Sequence, residues 1–529
     1  MSSSPVAPEA IRELARSRFG FRTFRTGQLR AVSAAAAGRD VLAVLPTGGG
    51  KSAIYELAGL LRSGPTVVIS PLIALQDDQL AHLDAAGLTA IVLNSQQSAR
   101  ARAASLAAAC RPDSFVFLSP EQLSNAETRE VLRRARPGLF VVDEAHLISQ
   151  WGRDFRTDYM RLGAQADALE APVRLALTAT AAPPVRLEIC RRLGLRDPEI
   201  VIGDFDRPHI ELSARRVSTI AEKHRALDAA AAELDGPGIV YAATHADAQA
   251  ARDVLAAAGH RVTLYHAGLS PHTRREAMTA YLDGSVRIVA ATVAFGMGID
   301  KPDVRWVLHV DPPPSLDAYY QEIGRAGRDE QAAHARLLVR AEDFGAAVHL
   351  TSRGVSRDAV SAVATLLQSG SEVSATRQTT AALVRLVDLG AADWDADGDV
   401  RWTGAVSVDA AVAASEAETK RENEVERSRL DMMRRYAEHK GCRRSFLLSY
   451  FGQDYPGRCG NCDNDLAARI DEAPTAEPFA VGERVRSERW GEGTVQRYDG
   501  DQLTVLFDEH GYRDLLVPLV IERKLLRRV

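Results

Sequence analysis

The stretch LPTGGGKS, residues 45–52, sets a lysine and a hydroxyl directly after three glycines. Such a turn lets backbone N–H groups converge on an anion. Thr47, Gly48, Gly49 and Gly50 are the candidate cradle, Lys51 would lie along the β and γ phosphates of a nucleoside triphosphate, and Ser52 would ligate magnesium. The strict form of this pattern has a glycine where this chain has Leu45. The second half of such a site is LFVVDEAH, residues 139–146, where four apolar residues bring Asp143 and Glu144 to the end of a buried strand. Asp143 can hold the magnesium while Glu144 orients and deprotonates the attacking water. In AYYQEIGRAGRDE, residues 318–330, Gln321, Arg325 and Arg328 fall four and three apart, which on a helix is one face. Arg325 and Arg328 are candidate arginine fingers that stabilise charge on the γ-phosphate in the transition state.

These groups need rigid elements. From residue 40 to about 341, short apolar runs such as DVLAVLP, TVVISP, SFVFLSP, LFVVDEAH, RLALTAT, GIVYA and WVLHVD alternate with helical patterns, which predicts parallel sheets covered on both faces. About ten such strands exceed one sheet, and the pattern pauses near LGLRDPEIVIGDFDRPHIEL, so two α/β domains joined near residue 205 are expected. Beyond 345, RDAVSAVATLLQ and TRQTTAALVRLVDLG read as helices and AADWDADGDVRWTG as two short strands around an Asp-Gly turn. Helix, helix, hairpin is the order of a winged helix, and an ordinary helical insertion is the other reading. A charged helix then leads to three cysteines, LAARIDEAPTAEP reads as a linker, and the last 50 residues alternate apolar and polar around Gly-rich turns, as in a small barrel of about five strands.

The chain has 529 residues, 46% hydrophobic and 26% charged, enough for several packed domains without covalent staples. A net charge of −5 exerts no global pull on nucleic acid, so any phosphate-backbone contact must come from local clusters. No apolar run reaches a membrane span and MSSSPVAPEA lacks a signal-peptide pattern, so the expected location is the cytoplasm, associated with the nucleoid. Of five cysteines, Cys110 and Cys190 stand alone and read as small buried or half-buried side chains.

In order, FGFRTFRTGQ (19–28), LPTGGGKS, SPLIALQDDQ (70–79), DEAHLISQWGRDFR (143–156), LTATA (177–181), ATVAFGMGIDKPDVRWVLH (291–309) and YYQEIGRAGRD resemble the core of a RecQ-type DNA helicase of helicase superfamily two. The resemblance implies α/β architecture with two RecA-like parallel-sheet domains, and assigns Gln28 to the adenine edge with Phe21 and Arg25 packing on the base. Trp151, Phe155 and Arg156 would form the aromatic-rich loop that links DNA binding to ATP hydrolysis, aromatic faces stacking on unpaired bases. His146, Thr178 and Thr180 look like coupling residues between the two sites. The implied activity is ATP-dependent translocation 3′ to 5′ on single-stranded DNA with unwinding of duplex or branched DNA, in repair or recombination. An ATPase that acts on RNA or remodels nucleoprotein would share these residues, whereas a non-enzymatic scaffold would be expected to have lost some of Lys51, Asp143, Glu144 and Arg328.

CRRSFLLSYFGQDYPGRCGNCDND resembles the zinc module of the family, with Cys442, Cys459 and Cys462 matching but Asp465 in the fourth position. A carboxylate oxygen can complete a tetrahedral zinc site, although sulfur and nitrogen are preferred. His439 as fourth ligand, a labile site, or no metal are the alternatives. The family usually places its winged helix after the zinc module, so the segment at 350–405 looks transposed, with Trp394 or Trp402 near duplex DNA. The expected domains are 1–204 (ATP binding), 205–345 (arginine fingers), 346–408 (winged-helix-like), 409–466 (helical hairpin and zinc), a linker at 467–478, and an SH3-like or Tudor-like barrel at 479–529. That barrel is similar to the terminal module of some UvrD-type helicases, where it binds protein partners, and Trp490, Tyr498 and Phe507 are candidates for its core or its binding face.

Overall fold

The computed structural model describes residues 6–46, 48–71, 79–80, 82–94, 97–149, 157–296, 301–351, 354–374, 376–394, 400–455, 457–467 and 476–529. The chain forms two compact units, Met1–Asp204 with Gly354–Lys420 and Phe205–Arg353 with Arg421–Val529.

The first unit is built on β1 (Val41–Val44), β2 (Thr66–Ile69), β3 (Thr89–Leu93), β4 (Ser114–Leu118), β5 (Leu139–Val142), β6 (Arg174–Thr178) and β7 (Glu199–Ile202). They form one parallel sheet in the order β3-β4-β2-β5-β6-β1-β7. Strands β1, β2, β4, β5 and β6 are buried along their whole length, as continuous apolar runs must be when helices cover both faces. Side chains of Val41, Leu45, Ile54, Val68, Phe117 and Leu177 share the core on one face.

The winged-helix-like segment belongs to this unit rather than standing alone. Helices α3 (Arg357–Gln368) and α4 (Arg377–Asp388) precede the hairpin β14 (Ala392–Trp394) and β15 (Val400–Trp402), paired antiparallel from Ala392 and Trp402. Ser356 caps α3, and Thr376 with Thr379 forms a capping box on α4. Arg192 forks onto both carboxylate oxygens of Asp388 at 3.1 Å, and the Arg161 guanidinium lies 4.0 Å over the Trp394 ring. Trp402 packs on the core of the segment itself. Both indoles therefore have partners inside the unit.

The second unit holds β8 (Ile210–Arg216), β9 (Gly238–Tyr241), β10 (Val262–Tyr265), β11 (Ile288–Ala291), β12 (Trp306–His309) and β13 (Ala333–Val339), parallel in the order β10-β11-β9-β12-β13-β8. Among the described strands, β3, β7 and β8 lack the uninterrupted apolar run that marks the interior strands. Each is a sheet edge, and β7 and β8 carry polar or exposed residues because one flank meets water.

Helix α2 (Leu316–Ile323) follows β12. Helix α5 (Val408–Glu438) runs from the first unit into the second and α6 (Arg443–Tyr450) follows it. Phe451 stacks on Phe205 with centroids 4.6 Å apart, and the buried Arg444 donates to Asp206 and to the Ile210 carbonyl, so the helical module is anchored to the base of β8. The C-terminal residues form an antiparallel sheet, β16 (Arg484–Ser487), β17 (Gly491–Asp499), β18 (Gln502–Phe507), β19 (Gly511–Leu516) and β20 (Arg527–Arg528), in the order β19-β18-β17-β16-β20. A bulge between Val495 and Arg497 bends β17 over a core of Val485, Val495, Leu503, Val505 and Phe507. Trp490 and Tyr498 pack against that core partly buried. Among the described residues no helix is long and apolar enough to cross a membrane. Cys190 is half-buried, but Cys110 is exposed at a helix C-terminus, where no core reaches it.

Candidate functional site

Strand β1 lies between β6 and β7, and its chain turns through Gly48–Gly50 into α1 (Lys51–Leu60). Gly48 and Gly50 have φ of +77° and +70°, the left-handed region that glycine enters without strain. A Cβ at Gly50 would lie 2.4 Å from Gln28 Nε2, so only glycine lets the loop pass. Gln28 braces this turn: Nε2 donates to the carbonyls of Gly49 (3.1 Å) and Gly50 (2.9 Å), and Oε1 accepts from Arg25 N–H at 2.7 Å. The Arg25 guanidinium donates to the Gly48 carbonyl. Leu45 points into the apolar core and its N–H bonds the Thr178 carbonyl at 2.9 Å, so the residue that departs from the strict pattern completes β1 rather than the cradle. Lys51 and Ser52 open α1, and Thr47 lies outside the described residues.

A cavity of about 750 Å³ is lined by Arg22, Phe24, Arg25, Gly27, Leu29 and Arg30 among others, and Arg25 links it to this turn. Phe21 is not among its lining residues; its ring clusters with those of Phe19 and His82, 5.5 and 6.2 Å away. Of the lining residues sequence reasoning named only Arg25; Arg22, Thr23, Phe24 and Gly27 lie inside the quoted FGFRTFRTGQ and were missed.

Asp143 leaves the end of β5 with its N–H bonded to the Ile69 carbonyl, and its Oδ1 accepts the Glu144 N–H at 2.9 Å. Burial first, and then the Glu144 charge, push the Asp143 carboxyl up to about 6, against the opposing charge of Lys51. Glu144 itself has φ of +50°, which costs a non-glycine residue about 1–2 kcal/mol and marks a position held by its surroundings. His146 Nδ1 lies 3.3 Å from Glu144 Oε2 and 3.0 Å from Thr178 Oγ1. The Thr178 hydroxyl donates to the Thr180 carbonyl at 2.9 Å and accepts the Thr180 N–H. The acid pair and the three coupling candidates thus form one connected network across the ends of β5 and β6. Trp151, Phe155 and Arg156 lie outside the described residues.

In the second unit Gln321 lies on α2, but the helix ends at Ile323. The expectation that Arg325 and Arg328 continue its face is corrected: Gly324 caps the helix, and Gly327, at φ of +62°, bends the following turn so that its N–H reaches the Val304 carbonyl at 2.8 Å. Arg325 is buried against Gly296, where a Cβ would lie 2.6 Å from Nη2. It also opposes the burial that pushes the Tyr241 hydroxyl up to about 12. Arg328 is half-buried on the same turn. His309, at the end of β12, meets Glu322 on α2 at 2.6 Å in the interior, a clasp that appears in sequence only as two polar residues in apolar company.

Ligand atoms of Cys442, Cys459, Cys462 and Asp465 all lie within 4.8 Å of one another. A tetrahedral zinc with sulfur at about 2.3 Å needs donors about 3.8 Å apart, so this set fits. The Asp465 carboxylate is oriented by the N–H groups of Cys459 (2.7 Å) and Gly460 (3.1 Å). Hydrogen bonds shared among the three thiols lower the Cys462 thiol and raise those of Cys442 and Cys459, as expected of sulfurs held this close together. His439 is not in the cluster: its Nδ1 lies 3.3 Å from Asp499 and its ring packs on Phe446.

A phosphate loop joined to strand-end acids, with a second parallel-sheet domain carrying the arginine turn, defines a two-domain nucleotide-driven helicase. Family models agree: DEAD/DEAH box helicase matches residues 25–187, helicase conserved C-terminal domain 222–330, and RecQ zinc-binding 405–466. The chain is 33% identical over 460 residues to the probable ATP-dependent DNA helicase RecS of Bacillus subtilis, covering 85% of this chain and 91% of that protein. To the ATP-dependent DNA helicase RecQ of Pasteurella multocida it is 31% identical over 450 residues, covering 84% of this chain but 60% of that one. The helicase Lhr of Mycobacterium smegmatis, solved with ssDNA and AMP-PNP, shares 20% identity with a TM-score of 0.52 over 79% of this chain and 61% of that chain, a likeness of fold. The chain belongs to the RecQ-type helicases of superfamily two and is an ATP-dependent DNA helicase.

Proposed function

We propose that this helicase translocates 3′ to 5′ on single-stranded DNA and unwinds duplex or branched DNA in repair or recombination, in the cytoplasm at the nucleoid. The observation that carries this reading is the unbroken network from Glu144 through His146 to Thr178 and Thr180, which ties the hydrolytic acid to the backbone after β6. Gly48–Gly50 and Lys51 hold the phosphates, and Gln28 and Arg25 hold the loop in the shape that receives them. Ser52 and Asp143 would hold magnesium, which when bound neutralises charge on the phosphate oxygens. Glu144 takes the proton of the attacking water, with His146 fixing its carboxylate. Arg325 and Arg328 are supplied from the second domain to the charge that develops in the transition state. The fit of three cysteines and Asp465 supports a structural zinc in the helical module. The C-terminal sheet is a candidate docking site for a protein partner.

The test is strand displacement on duplexes with 3′ or 5′ single-stranded tails, with Lys51→Ala as control. Unwinding of the 3′-tailed substrate, dependent on ATP and lost in Lys51→Ala, is the expected result; unwinding restricted to 5′ tails would overturn the polarity. Hydrolysis stimulated more by RNA than by DNA would favour a remodelling ATPase instead.

A further inference from the structure

Helix α2 leads directly into the arginine turn, so whatever holds α2 sets where Arg325 and Arg328 stand. Its first turn carries the buried carboxyl of Asp317, and two residues of the helical module meet it. The Tyr450 hydroxyl donates to Asp317 Oδ2 at 2.5 Å, and Arg429 Nη2 donates to the same oxygen at 3.1 Å. Arg429 is half-buried and also paired with Glu426 at 2.9 Å. A buried carboxylate with these partners is costly to unpair, which makes the joint stiff.

One residue of the C-terminal sheet in turn touches Tyr450 and the residue that precedes Arg429 on α5. The Tyr512 ring stacks on Tyr450 with centroids 5.2 Å apart and planes 25° from parallel. The Tyr512 N–H donates to Ser428 Oγ at 3.0 Å, one residue before Arg429. The contact is extended. Along β19 and its approach, His510, Tyr512 and Asp514 share one face by the two-residue period of a strand, and they meet Glu424, Ser428 and Arg435 on α5. Gly511 allows the approach: it has φ of +69° and sits where any side chain would strike Ser428.

We infer that the C-terminal sheet is a positioning element of the ATPase, with Tyr512 holding Tyr450 and Arg429 on Asp317 and thereby fixing the arginine turn. This rests on the proposed finger role of Arg325 and Arg328. The sheet thus acts as part of the second unit's machinery, distinct from any docking of partners on its outer face.

The test is DNA-stimulated ATP hydrolysis by the full chain, expressed per nucleotide-binding site counted by titration with a fluorescent ATP analogue, so that unfolded protein drops out. Tyr512→Ala is expected to lower kcat about tenfold with KM for ATP changed less than about twofold, the pattern of misplaced transition-state groups, and Tyr512→Phe, which keeps the ring, to restore it. Tyr450→Phe, which removes only the hydroxyl on Asp317, is expected to lower kcat likewise, and it decides the matter if Tyr512→Ala loses zinc. Wild-type kcat in both Tyr512→Ala and Tyr450→Phe, with Arg328→Ala inactive, overturns the inference. Full turnover in Arg328→Ala would instead remove the finger assignment on which it rests.

Discussion

His146 Nδ1 stands 3.0 Å from the Thr178 hydroxyl, 32 residues further along the chain, and 3.3 Å from the Glu144 carboxylate, joining the ends of β5 and β6. One imidazole therefore touches both the proposed base and the segment proposed to report on DNA. Thr178→Val keeps the shape and removes the hydroxyl. It is expected to cut DNA-stimulated hydrolysis about tenfold, a loss near 1.4 kcal/mol of transition-state stabilisation, measured as kcat with and without single-stranded DNA. An unchanged stimulation ratio would remove Thr178 from the coupling path.

Arg328 lies on a glycine-bent turn rather than on the face of α2, so its reach depends on Gly327 and the bond to Val304. Arg328→Ala is expected to lower kcat by about 10³-fold or more while nucleotide affinity stays within a few-fold. Gly327→Ala, which forces a side chain toward His209, is expected to lower kcat in the same direction.

Asp465 is oriented toward three cysteine sulfurs by two backbone N–H groups. After exhaustive dialysis the wild type is expected to retain one zinc per chain and Asp465→Ala clearly less, read by metal analysis. Asp465→Cys should retain zinc at least as well as the wild type, since structural zinc prefers sulfur. Equal stoichiometry in wild type and Asp465→Ala would take Asp465 out of the ligand set.

Trp394 lies beneath the Arg161 guanidinium, and Asp388 is forked by Arg192. A cation–π contact contributes about 0.5–2 kcal/mol, so Trp394→Ala and Asp388→Ala are expected to act as stability variants. Each should lower Tm by about 2–4 °C per kcal/mol lost while duplex-DNA affinity changes little. A large loss of duplex affinity at unchanged Tm would return the hairpin to a role on DNA.

The hydrogen bond from His439 holds the Asp499 carboxyl below its ordinary range, with burial opposing. A folded-state value below the unfolded one means the folded chain binds fewer protons, so this contact contributes stability above about pH 4 and loses it as pH falls through the depressed value. The Tm difference between wild type and Asp499→Asn should therefore be constant near neutrality and shrink below about pH 4. Metal release, common to both proteins, cancels in the difference.

Apolar runs such as VLAV, TVVI and LFVV announced the interior strands because a strand covered on both faces has no use for polar side chains. The phosphate turn, the paired acids and the cysteines were equally legible, since close spacing along the chain already places those groups together. The edge strands β7 and β8 were not, because half-solvated strands mix polar and apolar residues as loops do. Helical spacing also failed for Arg325 and Arg328, where two glycines end the helix that the spacing presumed.

Chemistry carried by neighbours in the chain was thus determined by the amino-acid sequence itself: a nucleotide loop, its acids, and a cysteine cluster short of one sulfur. Only the tertiary structure decided that Asp388 answers Arg192, that Tyr450 and Arg429 answer Asp317, and that Tyr512 lies against Tyr450. Such partners are 62 to 196 residues apart. No local periodicity encodes them, because a buried charge or ring acquires its partner from packing, after the elements that carry both have formed.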